Sequence, residues 1–349
     1  MMRMPSGDKP TMAVVICSDK GLFWQGAFFL QRAVGFDADH NIDFFYYCCD
    51  TVPEIIRKAL PERVTLVDWQ GDLAKGSFGL SRHLTQATLL RLYAVQDLAA
   101  QYDLVAYFDI DIFLRWGDIA NLRNLTFSGQ PAAAVRDRSL WGRSAERWVR
   151  RNYLPRFSEA VRDKYFNAGF ILANGPVWSS EDVSGRALAF LKTHPEVCHY
   201  ADQSALNAVI DGNWLELSPT WNWQANMRYD FLIPSRNPRL VHFTGPIKPW
   251  SDKWKRFDEY YAQMMYDWMR ASGLNAYLEE LDHTRFTASF ERRRTREFSS
   301  QRWDPMEMRQ EVKPYLDRVD FADAAAGIET FGWFDDRKHS EASSQDQTP

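Results

Sequence analysis

Two aspartates one residue apart, Asp109 and Asp111, follow the apolar run 104–108 in the segment LVAYFDIDIFL. A run of that composition reads as a buried strand, and side chains at i and i+2 leave a strand on the same face. Both carboxylates are therefore expected to point into one space at the edge of a sheet. Two carboxylates pressed together repel unless a positive charge lies between them. A hard divalent cation with oxygen ligands answers that need, and a substrate diphosphate would complete its coordination. The competing reading is a pair of solvated aspartates, or an Asp-initiated turn.

Other segments supply what such a centre lacks. In LVHFTGPIKPW (240–250), His242 at a strand end offers a nitrogen ligand and tilts the preference from Mg2+ toward Mn2+. Gly245 lets backbone approach a phosphate, and Lys248 places a compact positive charge on it. A lone histidine is otherwise a satisfied core or surface residue. In YFNAGF (165–170), Asn167 brings an amide donor and acceptor, while Ala168 and Gly169 leave room for a ring against the chain. The bland alternative is an Asn-initiated turn. In ADQSALN (201–207), Asp202 is by default a helix N-cap; in a site, Asp202 and Gln203 project from a helix N-terminus toward a hydroxyl-rich substrate. Arg91, embedded in LLRLY, needs a partner, either a ligand anion or a structural ion pair.

Positioning these groups falls to alternating strands and helices. Strands are expected at 12–17, 42–48, 64–67 and 104–108, with helices at 24–34, 52–60 and 84–101 between them. That alternation predicts a mostly parallel, doubly wound sheet with ligands at the carboxyl ends of strands. Farther on, strands at 131–135, 166–173 and 240–243 and helices at 179–192, 201–210 and 252–270 follow. Residues 1–11 read as a flexible leader, 12–270 as the main domain, 271–337 as a helical extension and 338–349 as a disordered tail. Arginines interleaved with aromatic residues at 285–303 suit a solvated helix face or contact with an anionic membrane surface.

Composition narrows the class. A 349-residue chain that is 45% hydrophobic supports a packed core, and a net charge of -4 argues against nucleic acid as a partner. The spacing of Cys17, Cys48, Cys49 and Cys198 gives no zinc pattern, and adjacent cysteines suit a disulfide poorly. No apolar run reaches the ~18 residues of a membrane-spanning helix, and 12–17 is too short for a signal-peptide core. The expectation is a cytoplasmic protein, with peripheral contact at the inner face of a membrane as an option.

These segments, in this order, resemble family 8 of the glycosyltransferases, the group with glycogenin and the bacterial lipooligosaccharide galactosyltransferases. The resemblance covers residues 12–255 and rests on FDID, YFNAGFILAN, ADQSALNAV, WNWQ (221–224) and HFTGPIKPW. It implies a GT-A type nucleotide-diphospho-sugar transferase fold, a mostly parallel Rossmann-like sheet flanked by helices, here with a C-terminal helical extension. It further implies retaining transfer of a galactose or glucose from a nucleotide sugar, UDP-linked, to a glycan or lipid-linked glycan. Asp109, Asp111 and His242 match the Mn2+ ligands, and Gly245 and Lys248 the phosphate contacts. Arg91, Asp137, Asn167, Ala168, Asp202 and Gln203 match positions around the transferred sugar. Cys17, Asp19 and Ile110 fall where the family lines the nucleotide, Asp19 at the base. The family usually follows that Asp with an Asn and a base-stacking Tyr; this chain has Lys20-Gly21-Leu22, which leaves Phe23 or Trp24 to stack.

The rival readings are a non-catalytic nucleotide-sugar-binding module on the same scaffold and a phosphatase of the haloacid dehalogenase type. The latter also starts Asp-x-Asp after an apolar strand. It needs a hydroxyl residue soon after the second Asp, where this chain has Ile112-Phe113-Leu114.

Overall fold

A computed structural model describes residues 10–39, 41–71, 87–142, 147–225, 229–252, 255, 257–282, 291–292 and 305–328. The first half alternates as the sequence predicts: β1 (Met12–Ser18), α1 (Phe23–Phe36), β2 (Asp43–Cys48), α2 (Glu54–Ala59), β3 (Val64–Asp68), α3 (Ala87–Ala99) and β4 (Leu104–Phe108). Then come β5 (Ile112–Leu114), β6 (Ala132–Arg136), α4 (Glu159–Asp163), β7 (Phe166–Asn174), α5 (Gly175–Ser180), α6 (Val183–Thr193) and α7 (Ala201–Ile210). The short strands β8 (Leu215–Glu216), β9 (Trp223–Gln224) and β10 (Leu240–His242) follow, with α8 (Ile233–Arg236), α9 (Glu259–Ala271) and α10 (Asn275–Asp282).

Seven strands form the main sheet in the order β3-β2-β1-β4-β7-β6-β8. β1 to β4 are mutually parallel, β7 runs antiparallel to β4 and β6, and β8 pairs parallel with β6. Period-2 geometry splits β1 between two layers. Met12, Val14 and Ile16 pack with α1, whereas Ala13, Val15 and Cys17 pack with α3, α6 and α7. Burial on both faces explains why these strands read as continuous apolar runs.

The departures have local causes. The single helix expected at 179–192 is two, because Asp182 adopts a left-handed φ of 47° and its carboxylate caps α6 at the Gly185 N–H, 3.3 Å away. The helix expected from 252 starts at Glu259, because Asp252 accepts the Phe257 N–H (2.8 Å) and Asp258 takes over as N-cap, bonded to the Tyr260 N–H at 3.0 Å. Phe23 and Trp24 are both core residues at 3% exposure, with Trp24 edge-on to Trp250 at 5.1 Å. Neither presents a free ring face for a base. All four cysteines are free thiols. Among the described residues no helix is long and apolar enough to cross a membrane. The basic segment 285–303 lies, apart from residues 291–292, outside the described residues.

Candidate active site

The aspartates meet through a turn rather than along a strand. β4 ends at Phe108, and the Ile112 N–H donates to the Asp109 carbonyl at 3.1 Å, which places Asp109-Ile110-Asp111 in the bend before β5. β5 then pairs antiparallel with β10, setting His242 opposite Ile112, and the Phe243 N–H bonds the Asp111 carbonyl at 3.0 Å. A three-residue strand distant in sequence thereby delivers the imidazole to the carboxylates. His242 Nε2 lies 3.2 Å from Asp111 Oδ1 and 3.8 Å from Asp109 Oδ2. One ligand atom from each of the three residues falls within 4.8 Å of the others.

That donor set fits a divalent cation with hard to borderline preference, two carboxylate oxygens and one imidazole nitrogen, and it leaves coordination positions for a ligand's oxygens. The Lys248 ammonium sits on Asp111 Oδ2 and donates to the Phe243 carbonyl at 2.6 Å. Burial alone would raise the Asp111 pKa; Lys248 and His242 outweigh it and hold the carboxyl well below the usual carboxylate range. Gly245 has φ +88°, and the space where a Cβ would stand is open. A glycine without a side chain leaves the backbone open to close approach there.

A second cluster adjoins the first. Arg91, on α3, lies 3.2 Å from Asp109 Oδ1 and 2.7 Å from Asp202 Oδ2, and it donates to the Ala168 carbonyl at 2.7 Å. Its guanidinium carbon lies over the Tyr107 ring, 4.7 Å from the centroid. The partner required by its apolar neighbours is thus a pair of carboxylates within the chain. Asp202 is not the N-cap of α7, which is Tyr200; it sits in the first turn and is 1% exposed. Burial pushes its carboxyl up to about 6, with Arg91 pulling the other way.

Two bonds from Asn207, accepting the Phe166 N–H (2.8 Å) and donating to the Phe166 carbonyl (2.9 Å), dock α7 on the start of β7. Gln203 Oε1 then accepts the Ala168 N–H at 3.0 Å and Asn167 Nδ2 at 3.2 Å. Asn167 Nδ2 and Gln203 Nε2 both reach Asp137 Oδ2, at 3.4 and 3.5 Å, and Asp137 also caps the turn after β6 by accepting the Ser139 N–H at 3.0 Å.

Asp109, Asp111, His242, Lys248, Arg91, Asn167, Ala168, Asp202, Gln203 and Asp137 therefore form one connected centre. Cys17 is buried at the end of β1, close enough to feel the charges of Arg91 and Asp109; burial keeps its thiol pKa well above the ordinary value. Asp19 turns its carboxylate onto the Gly21 N–H at 3.2 Å, and Ile110 packs, half-buried, on the core.

Two participants had no role in the sequence reading. Tyr107 donates its hydroxyl to Asp109 Oδ1 at 2.7 Å. Asn222 joins His242 Nδ1, 3.1 Å from its Oδ1, to Asn167 Oδ1, 2.9 Å from its Nδ2. A Cβ at Gly169 would overlap the His242 ring, so the ring accommodated by Ala168-Gly169 is an imidazole. A polar residue between Trp221 and Trp223 was the one available signal for Asn222.

The sequence pattern described as "Glycosyl transferase family 8" matches residues 46–254. General stress protein A of Bacillus subtilis is 30% identical over 206 residues, 53% of this chain and 67% of that protein. The lipopolysaccharide 1,3-galactosyltransferase of Salmonella typhimurium is 32% identical over 178 residues, 49% of this chain and 51% of that enzyme. The chain thus spans about two thirds of the former and about half of the latter. Among solved structures, galactosyltransferase LgtC in complex with donor and acceptor sugar analogs superposes with TM-score 0.58 at 21% identity, over 75% of this chain and all of that one. The bifunctional glycosyltransferase WbbM gives 0.60 at 17%, over 80% of this chain and 53% of its own. At such identities the likeness speaks for the fold, which is GT-A. With a family match spanning more than half of its length, the chain belongs to glycosyl transferase family 8.

Proposed function

We propose that this protein is a retaining hexosyltransferase that takes galactose or glucose from a nucleotide sugar, UDP-linked, and places it on a glycan or glycolipid hydroxyl. The observation that carries this reading is the shared wall between two chemistries. The cation-binding group of Asp109, Asp111 and His242 touches, through Asp109 and Arg91, the hydroxyl-binding group of Asp202, Asn167, Gln203 and Asp137. A diphosphate held by the first would place its sugar against the second. The relatives that include a lipopolysaccharide 1,3-galactosyltransferase and a lipopolysaccharide 1,2-glucosyltransferase support a lipid-linked glycan as acceptor.

Mn2+, or Mg2+ in its place, held by the two aspartates and His242 would supply charge neutralisation of the departing nucleoside diphosphate. Lys248 adds a second positive charge beside it, and open backbone at Gly245 admits phosphate oxygens. In the reaction the bond from the anomeric carbon to the phosphate oxygen breaks and a bond to the acceptor oxygen forms. The acceptor's proton passes to the leaving phosphate oxygen. Retention requires either a covalent intermediate or attack from the face of departure. Gln203 is a poor nucleophile, and its amide oxygen is already committed to two donors. The Asp202 carboxylate is tied to Arg91. Front-face attack, with Asp202 and Asp137 orienting the sugar hydroxyls, accords with those commitments. A trapped glycosyl adduct on Asp202 or Asp137 would overturn it.

The test is UDP release from UDP-galactose and UDP-glucose, with and without Mn2+, in wild type and Asp111→Asn. Metal-dependent release that falls at least ~100-fold in the variant supports the transferase, a loss typical of removing a group that stabilises developing charge. Binding without turnover would favour the non-catalytic module. Release of inorganic phosphate from a monoester would favour a phosphatase.

A further inference from the structure

An amide turned by half a rotation exchanges its oxygen and nitrogen, so the direction of a hydrogen-bond chain through amides must be fixed by a group that can only donate. Two backbone N–H groups of β7 do this. The Gly169 N–H, which can only donate, meets Asn167 at 3.1 Å, so the atom there is Oδ1. The Ala168 N–H likewise fixes Oε1 of Gln203, 3.0 Å away. Asn167 must then turn its nitrogen toward Gln203 Oε1 and Asp137.

Asn222 meets the same Asn167 Oδ1 at 2.9 Å, so it presents Nδ2 there and turns Oδ1 on His242 Nδ1. An amide oxygen only accepts. The imidazole therefore carries its proton on Nδ1, and Nε2 is the nitrogen that faces Asp109 and Asp111. Water does not compete for these bonds: Asn222 is 0% exposed and His242 5%. Gly169 lets the ring lie close to β7: a Cβ there would overlap its Cε1–Nδ1 edge.

We infer that Asn222 is a positioning residue that holds His242 as its Nδ1–H form and so directs the Nε2 lone pair at the cation site, with the β7 backbone as the reference. The orientation of a metal-ligating imidazole is ordinarily set by the partner of its other nitrogen. Here that partner also touches Asn167, so the cation side and the sugar side of the centre share a single hydrogen-bond direction. The chain runs from His242 through Asn222 and Asn167 to Asp137. This inference rests on reading Asp109, Asp111 and His242 as the cation site.

Two measurements test it. The first is the 15N spectrum of the histidine rings in the metal-free protein and again with Mg2+, with His242 assigned by the signal lost in His242→Gln. The ring proton is expected on Nδ1; a proton on Nε2 overturns the inference. The second is Mn2+ affinity by electron paramagnetic resonance, with thermal unfolding of each variant confirming that it folds. Asn222→Ala should bind Mn2+ about 10- to 100-fold more weakly. Asn222→Asp keeps an acceptor at Nδ1 and should bind within a few-fold of wild type. Its second oxygen, facing Asn167 Oδ1, should lower donor turnover while metal affinity is kept. If Asn222→Ala binds like wild type, or Asn222→Asp loses as much as Asn222→Ala, the relay is wrong. Should wild type bind no Mn2+ while the proton sits on Nδ1, the cation-site reading fails and the relay stands.

Discussion

Arg91 reaches Asp109 from β4's end, Asp202 from α7 and the Ala168 carbonyl from β7, so a single guanidinium serves acceptors on three elements. Its planar fork makes that geometry available, and a lysine's point charge does not reproduce it. The price of the arrangement falls on Asp202, whose carboxyl burial moves from 3.8 to about 6. Between those values the unfolded chain has ionised and the native one has not, so this carboxyl's contribution to stability is full below about pH 4 and is lost as pH rises through about 6. In Asp202→Asn nothing titrates at this position. Wild-type stability relative to that variant should therefore fall between pH 4 and 7, by on the order of 1–3 kcal/mol. Chemical denaturation of the metal-free protein at several pH values measures it. An opposite slope would show that pairing with Arg91 outweighs burial.

At the scale of elements, β7 is the strand on which both halves of the centre register. It presents Asn167 and Ala168 to Gln203, Gly169 to His242, and the Gly169 carbonyl to the Asp109 N–H at 2.7 Å. Gly169→Ala would drive a methyl into the imidazole. Mn2+ affinity should fall about 10-fold or more through the displaced ligand, with a stability loss of about 1–3 kcal/mol from overpacking. Titration with Mn2+ and thermal unfolding separate the two effects; unchanged affinity would mean that the ring has room elsewhere. The same strand shows what a sequence reveals. Phe166–Asn174, Leu104–Phe108 and Ala201–Ile210 were legible because long apolar or periodic runs declare their type. β10 is the strand expected at 240–243, whereas β5 and β9, with three and two residues, are too short for a period. Yet β5 and β10 bring His242 to Asp111. The ligand residues could be named from chemistry and family likeness. Their junctions, Asn222 above all, depend on pairing between β9 and β10, which is a tertiary fact.

For the molecule as a whole, the region from 305 to 328 closes over the side of the fold that carries Asp137 and Asn222. Val312, Tyr315, Leu316 and Phe321 enclose Trp141 and Trp223, the latter adjacent to Asn222. Glu216 on β8 pairs with Arg136 at 2.8 Å and Arg318 at 3.0 Å, which ties the same region to the sheet edge just ahead of Asp137. Asp323 completes the tie, fully buried, accepting the Ser218 N–H at 2.8 Å and its hydroxyl at 2.6 Å. Burial raises the Asp323 carboxyl above its ordinary value despite those two donors, so at neutral pH its ionised form costs stability that the protonated form does not. Two substitutions separate the charge from the hydrogen bonds. Asp323→Ala strands the buried Ser218 N–H and should cost about 1–3 kcal/mol at pH 7, while the Ser218 hydroxyl can turn to Thr220 Oγ1, 2.7 Å away. Asp323→Asn keeps an acceptor for the Ser218 N–H without the charge, and should stay within about 1 kcal/mol of wild type there, with a flatter dependence of stability on pH. Urea unfolding of both variants at pH 5 and pH 7 provides the comparison. If alanine and asparagine lose equally at both values, the bonds to Ser218 do not hold this region to the sheet, and the aromatic packing around Trp141 does so alone.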